Sequence, residues 1–381
     1  MTRFVRPALL ATSRAALLTV VAAAIALPAP PAKAAGAGPS TDVAPQTGIR
    51  VVAVMTHRTW PAAFTFGRHG VLYFANRLTG QIRYRDGKGV FHTVFTVPNV
   101  VKNGEQGLLG LALDPNWPTT PYMYAYATRN IGGTLRNQIL RITVADMVGT
   151  SFTVIFSSPT VAGQYHDGGR IEFGPDGKLY AIVGDAHVDA NAQDMTTAAG
   201  KLLRMNADGS APGDNPLGGI YFARGIRNSF GFAFDPDTGN FWETENGPDC
   251  NDELNQFAGG ANGGWGASEN CDGTSPGDTN NSGPTPRTGP LRWWTPTIAP
   301  TGITFCPKAG CGLPGHAGQL FFGSYNQHDI RAVTLTSNRL GVSSIGVVVT
   351  RTFGILSMER NPVNQHLYFS TQTGIYELVG A

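Results

Sequence analysis

Charge is scarce in this chain. Of its 381 residues only 14% are Asp, Glu, Lys or Arg, and 28 basic against 26 acidic side chains leave a formal charge of +2. No basic surplus exists to hold nucleic acid. Apolar residues at helical spacing are nearly absent, which argues against a helical bundle. No long apolar run follows residues 15–27, and that run is itself short for a membrane span. Cysteine is limited to Cys250, Cys271, Cys306 and Cys311. None forms a CxxC pair, and their neighbours are acids and glycines, which counts against a zinc site.

The start of the chain has its own character. Arg3, Arg6 and Arg14 precede the apolar run, and Pro28, Pro30, Pro31 and then Ala32-Lys33-Ala34 follow it. A basic segment, a short apolar segment and small residues in this order predict an export signal over 1–34, cleaved after Ala34. An uncleaved anchor is the alternative. Without residues 1–34 the chain keeps 24 basic against 26 acidic side chains, a formal charge of −2. The mature protein is expected to be secreted or extracytoplasmic, with no stable membrane span. In an exported chain an even cysteine count reads as disulfides, and sequence order pairs Cys250 with Cys271 and Cys306 with Cys311.

What the chain has in quantity is glycine, 49 residues, together with short alternating strands. A unit of apolar strand, turn with Pro, Asp or Gly, and alternating strand recurs six times. The copies start at Phe64, Leu111, Ile171, Phe232, Ile303 and Ser357. In each, the turn residues make a hairpin and the alternation marks a strand with one buried face. Such a unit cannot bury its face alone and must stack on its neighbours. Six units closing in a ring predict an all-β protein, a six-bladed β-propeller of four-stranded antiparallel blades, over residues 49–381. Residues 35–48 read as a flexible lead-in. The longest loop is expected from Asn246 to Pro300, and long loops on a rigid ring are where function usually sits.

Five stretches could carry chemistry. Gly104-Glu105-Gln106-Gly107 places a polar pair between glycines, or is an ordinary turn. Tyr165-His166-Asp167-Gly168-Gly169-Arg170 carries a lone histidine, structural or a base, beside glycines that let a backbone or ligand come close. Gly225-Ile226-Arg227-Asn228 offers a permanent cation, for an anionic ligand or for a salt bridge between blades. From Glu245 to Asn255, with Asn262-Gly263-Gly264-Trp265 after it, hard oxygen donors of the kind that suit Ca²⁺ are dense, though a solvated acidic loop reads the same. Trp293-Trp294 could line a sugar or quinone pocket or fill the core between blades.

In this order on a propeller, these stretches resemble the soluble quinoprotein glucose and aldose sugar dehydrogenases, the glucose/sorbosone dehydrogenase family. The resemblance runs over about residues 50–379, and HDGGRIEFGPDGKLYAIVGD and GPDCNDELN carry most of it. It implies a six-bladed propeller that holds pyrroloquinoline quinone (PQQ) and calcium over its central channel. It also implies oxidation of an aldose at its anomeric hydroxyl to a lactone, with hydride passed to the quinone and electrons to an external acceptor. By the same likeness His166 is the general base, and Arg227 and Asn228 contact the quinone. Glu105 stands at the cofactor's edge, where the family often has Gln. Gly247 and Pro248 match carbonyl ligands of the cofactor's calcium, and Glu253 and the carbonyl of Gly263 match a second, structural calcium site.

Three positions depart from the family pattern. Asn326 stands where a cofactor-binding lysine is common, and Gly354 and Leu356 stand in the slots of an Arg-x-Arg pair. PQQ carries three carboxylates, so these positions put its binding in question. Two other functions follow if it does not bind: a non-catalytic propeller for a carbohydrate or protein partner, and a calcium-dependent hydrolase that uses His166.

Overall fold

The computed structural model describes residues 48–56, 60–266 and 283–381, and the segments predicted as export signal and lead-in lie outside them up to residue 47. Among the described residues every strand belongs to one of six four-stranded antiparallel sheets. Blade 1 is Pro61–Phe66, Leu72–Asn76, Gln81–Arg85 and Phe91–Thr96; blade 2 is Leu108–Leu113, Tyr122–Ile131, Thr134–Ala145 and Val148–Ser157. Blade 3 is Ile171–Phe173, Leu179–Val183, Lys201–Met205 and Tyr221–Arg224; blade 4 is Ser229–Phe234, Phe241–Glu245, Asp252–Phe257 and Arg292–Trp294. Blade 5 is Pro300–Phe305, Leu320–Ser324, Asp329–Leu335 and Val342–Thr350. Blade 6 takes Ile355–Arg360, Leu367–Thr371 and Gly374–Gly380 from the end of the chain and Ile49–Met55 from the start of the domain. That last pairing, Ile49 opposite Gly380 and Ala53 opposite Tyr376, closes the ring.

The strands follow from local chemistry. Gly174-Pro175-Asp176-Gly177 is a tight turn, with the Gly177 amide donating to the Gly174 carbonyl at 2.9 Å, and it joins Ile171–Phe173 to Leu179–Val183. Gly177 has φ of +72°, a conformation that costs glycine little. The second strands are not alternating as the sequence predicts. Leu72–Asn76, Leu179–Val183, Phe241–Glu245, Leu320–Ser324 and Leu367–Thr371 are buried at every residue. Each is covered on both faces by adjoining blades, so both sets of side chains face a core.

That core comes in six pieces among the described residues, one for each blade-to-blade interface. Phe232, Phe241 and Phe257 of blade 4 meet Tyr180, Ile182 and Leu202 of blade 3, for example. Burying each such aromatic contributes about 1.5–3 kcal/mol. The first strands of adjoining blades pack side by side around the axis, so their ends form the wall of a central channel.

Two expectations need correction. The stretch from Asn246 to Pro300 is not one loop. It contains Asp252–Phe257 and Arg292–Trp294, the outer strands of blade 4, with Glu253 opposite Trp293. Trp294 packs on Phe322 in the core between blades 4 and 5 at 5.4 Å, while Trp293 is exposed. Neither tryptophan reaches the channel cavity. Cys306 and Cys311 form a disulfide, as sequence order predicts. Cys250 is disulfide-bonded as well, and Cys271 lies outside the described residues. No helix among the described residues is long and apolar enough to cross a membrane.

Candidate active site

A cavity of about 560 Å³ opens at one end of the channel, and all six blades contribute to its wall. His166, Arg227, Asn228, Glu105, Gly247, Pro248 and Asn326 all line it, so the structure gathers seven of the nine residues singled out from the sequence. Leu356 lines it as well. Glu253 and Gly263 do not. Glu253 faces Glu245 across the sheet and accepts from the Asn255 side-chain amide at 3.0 Å, while the Gly263 amide donates to the Arg224 carbonyl at 2.9 Å. No group of three or more His, Cys, Asp or Glu is placed to hold a metal among the described residues.

His166 sits in the loop that leads into blade 3. It is 5% exposed and adopts φ of +61°, a left-handed conformation that a non-glycine residue keeps only when its surroundings hold it. The glycines around it provide that hold. A Cβ on Gly184 would lie 2.2 Å from the His166 carbonyl, and one on Gly168 would lie 2.6 Å from the Ile182 carbonyl. Nδ1 of His166 donates to Oδ1 of Asp185 at 2.7 Å. This bond fixes the tautomer, so Nε2 is left as the acceptor nitrogen. Asp185 is fully buried and also accepts from the Trp265 indole and the His187 amide, each at 2.8 Å.

Trp265 connects the histidine to the arginine. The Arg227 guanidinium lies 5.2 Å from the indole centroid. Its Nη1 donates to the carbonyls of Asn246 and Gly247, both at 2.9 Å, and its backbone amide donates to the Glu245 carboxyl. Burial raises Glu245 well above the usual carboxylate range, and the neighbouring Glu243 and Glu253 add to the effect. Glu105 joins the two sides of the site. Its Oε2 accepts from the His166 backbone amide at 2.8 Å and from Nδ2 of Asn228 at 3.1 Å. Asp167, next to the histidine, is pushed up to about 7 by burial, against the lowering bond from Asn137 and with a raising contribution from Glu105.

Several residues at or beside the wall have no role read from the sequence alone. Asp185 lies within the quoted AIVGD, but only folding brings it to His166. Arg77, Arg170, Trp60 and Tyr325 come from four separate blade loops and strands and meet only at the channel. Arg170 pairs with Glu359 and, at 3.6 Å, with Glu172, carboxylates that line a second, smaller cavity.

The cations at the wall suit an anionic ligand. Arg77 and Arg227 bring cations to the wall, whereas Arg170 is already paired with Glu359 and Glu172; the buried Oδ1 of Asn228 has no partner among the described residues and is an acceptor for a ligand N–H or O–H. The Gly247 carbonyl is at the wall too, although the Arg227 guanidinium already uses one of its lone pairs.

Known proteins share this architecture and part of this sequence. Residues 58–354 match the glucose/sorbosone dehydrogenase family model. Quinoprotein glucose dehydrogenase B of Acinetobacter calcoaceticus is 32% identical over 247 residues, a match that takes in 56% of this chain and 51% of that protein. The chain thus spans about half the length of that relative. Aldose sugar dehydrogenase YliI of Escherichia coli K12 is 26% identical over 351 residues, 88% of this chain and 93% of that one. Among solved structures, the PQQ-bound aldose sugar dehydrogenase of Streptomyces coelicolor superposes with a TM-score of 0.74 at 26% identity, covering 88% of this chain and 99% of the other. With most of its length matched to the family model and a six-bladed ring around the shared motifs, the chain belongs to the glucose/sorbosone dehydrogenase family.

Proposed function

We propose that the protein is an exported, PQQ-dependent dehydrogenase that oxidises the anomeric hydroxyl of an aldose to the lactone. One observation carries the reading: a buried Asp185–His166 pair leaves Nε2 as the acceptor nitrogen in a cavity that Arg227 and Asn228 also line. Nε2 takes the proton of the sugar's anomeric hydroxyl, and Asp185 stabilises the imidazolium that results. Arg227 and Asn228 orient the ligand beside His166, and the Arg227 charge favours any negative charge that develops there. A bound PQQ supplies the hydride acceptor. The carbonyls of Gly247 and Pro248 would hold its calcium, and Glu253 with the Gly263 carbonyl a second, structural ion. An external acceptor then takes the electrons. Export rests on the leader-like residues 1–34 and on the disulfides.

A second reading, a propeller that binds carbohydrate without redox chemistry, draws on the uncharged wall made by Tyr325, Asn326 and Leu356. One experiment separates the two. The mature chain is titrated with PQQ in the presence of Ca²⁺, and aldose-dependent dye reduction is then measured. Saturable binding with turnover that disappears in His166→Ala supports the dehydrogenase. No binding at micromolar PQQ overturns it and leaves the binding propeller.

A further inference from the structure

The cavity wall contributed by blades 5 and 6 carries none of the cations the family places there. Asn326 and Leu356 line it with neutral side chains. Gly354 cannot simply regain an arginine, because a Cβ at that position would lie 2.5 Å from both the ring and the carbonyl of Tyr325. Blade 1 closes against blade 6, and its Arg77 lines the same cavity.

The Arg77 guanidinium is held in place. It lies 5.1 Å from the Trp60 ring centroid. Nε donates to the Gln106 carbonyl at 3.0 Å and Nη2 to the Gly104 carbonyl. Nη1 has no partner among the described residues. Burial lowers the Arg77 pKa from its ordinary value, while Glu105 and then Tyr325 act against this, so both lie within electrostatic reach. An arginine remains charged through such a shift. The side chain is 8% exposed, so its cation is little screened. A guanidinium with two nitrogens pinned and one free is preorganised for a carboxylate, because little rotamer entropy remains to be lost.

We propose that Arg77 is a ligand-binding residue, supplying through Nη1 the cation for a quinone carboxylate on the side where Asn326, Gly354 and Leu356 supply none. The inference rests on the PQQ reading and names the residue that makes it workable. Arg77 also holds the 104–106 loop, so its test must separate charge recognition from loop support.

Calorimetric titration of the full mature chain with PQQ and with PQQ trimethyl ester, in Ca²⁺, makes that separation. Wild type is expected to prefer the triacid. Arg77→Gln is expected to weaken the triacid about 10–100-fold, the range of one charge-assisted hydrogen bond, with little change for the ester. Arg77→Lys keeps a charge and loses the fork, so a loss of several fold confined to the triacid is expected. It also serves as the test if the glutamine variant shows no cooperative melt. Equal weakening of both ligands overturns the proposal, since Arg77 then acts only through the loop. Unchanged triacid affinity in both variants overturns it as well. Wild type binding neither ligand defeats the PQQ reading itself and the proposal with it, an outcome seen before any variant is made.

Discussion

Asp185 accepts the Nδ1 proton of His166 at 2.7 Å and the Trp265 indole proton at 2.8 Å, so one buried carboxylate fixes both the imidazole and the ring beside Arg227. Replacing it with Asn keeps the size and removes the charge that steadies the imidazolium. Asp185→Asn is expected to lower kcat about 100–1,000-fold while PQQ affinity falls much less. Stopped-flow dye reduction beside a PQQ titration checks this. A matched loss in both would mean that Asp185 only shapes the pocket.

Asp167 gives a pH-dependent prediction. Burial is the main cause that holds its carboxyl at about 7, above the 3.8 of an ordinary aspartate. Between these values the native protein keeps a proton that the unfolded chain has lost. This group therefore favours the folded state most below about pH 4, and its contribution declines as pH rises to 7 and beyond. Asp167→Asn keeps the acceptor for Nδ2 of Asn137 and removes the titration. The variant is expected to be more stable than wild type by roughly 1–3 kcal/mol at pH 8, with the difference shrinking toward pH 4. Urea unfolding at the two pH values checks it, and a pH-independent difference would count against the assignment.

The sequence carried the ring but not its closure. Six turn-and-strand units are visible because hairpin chemistry is local. The pairing of Ile49–Met55 with Gly374–Gly380 joins segments about 320 residues apart and leaves no local mark. Alternation was misleading in the second strands, where blades on both sides turn a one-faced pattern into full burial. In the cavity, His166, Arg227 and Glu105 stand in stretches that glycines mark out, and the family resemblance supplies their roles. Asp185 and Arg77 were not legible. An aspartate after a strand and an arginine in a turn look like surface residues until the ring brings them to the channel.

The neutral wall predicts gain as well as loss. Asn326 is exposed at the rim and Leu356 lines the cavity, so neither is locked in a core. Asn326→Lys adds a cation where the wall has none. It is expected to tighten PQQ about tenfold and to make binding more sensitive to salt. Titrations at low and high ionic strength measure both effects. Unchanged affinity would place the ligand's carboxylates away from blade 5.

Stability has its own test away from the cavity. Arg339 of blade 5 reaches Asp235 of blade 4 with Nε at 2.5 Å and Nη2 at 2.7 Å, and both residues are buried. Burial alone would raise Asp235, yet the Arg339 bonds hold it below the usual aspartate value. Arg339→Met would strand the carboxylate without its cation. Breaking a buried pair from one side costs about 3–5 kcal/mol. The single variant is therefore expected to lower the melting temperature markedly. Arg339→Met combined with Asp235→Asn, which removes the charge and keeps an acceptor for the Asp237 amide, is expected to recover much of the loss, and a double variant no better than the single one would show that the Asp235 charge is not what the single variant strands.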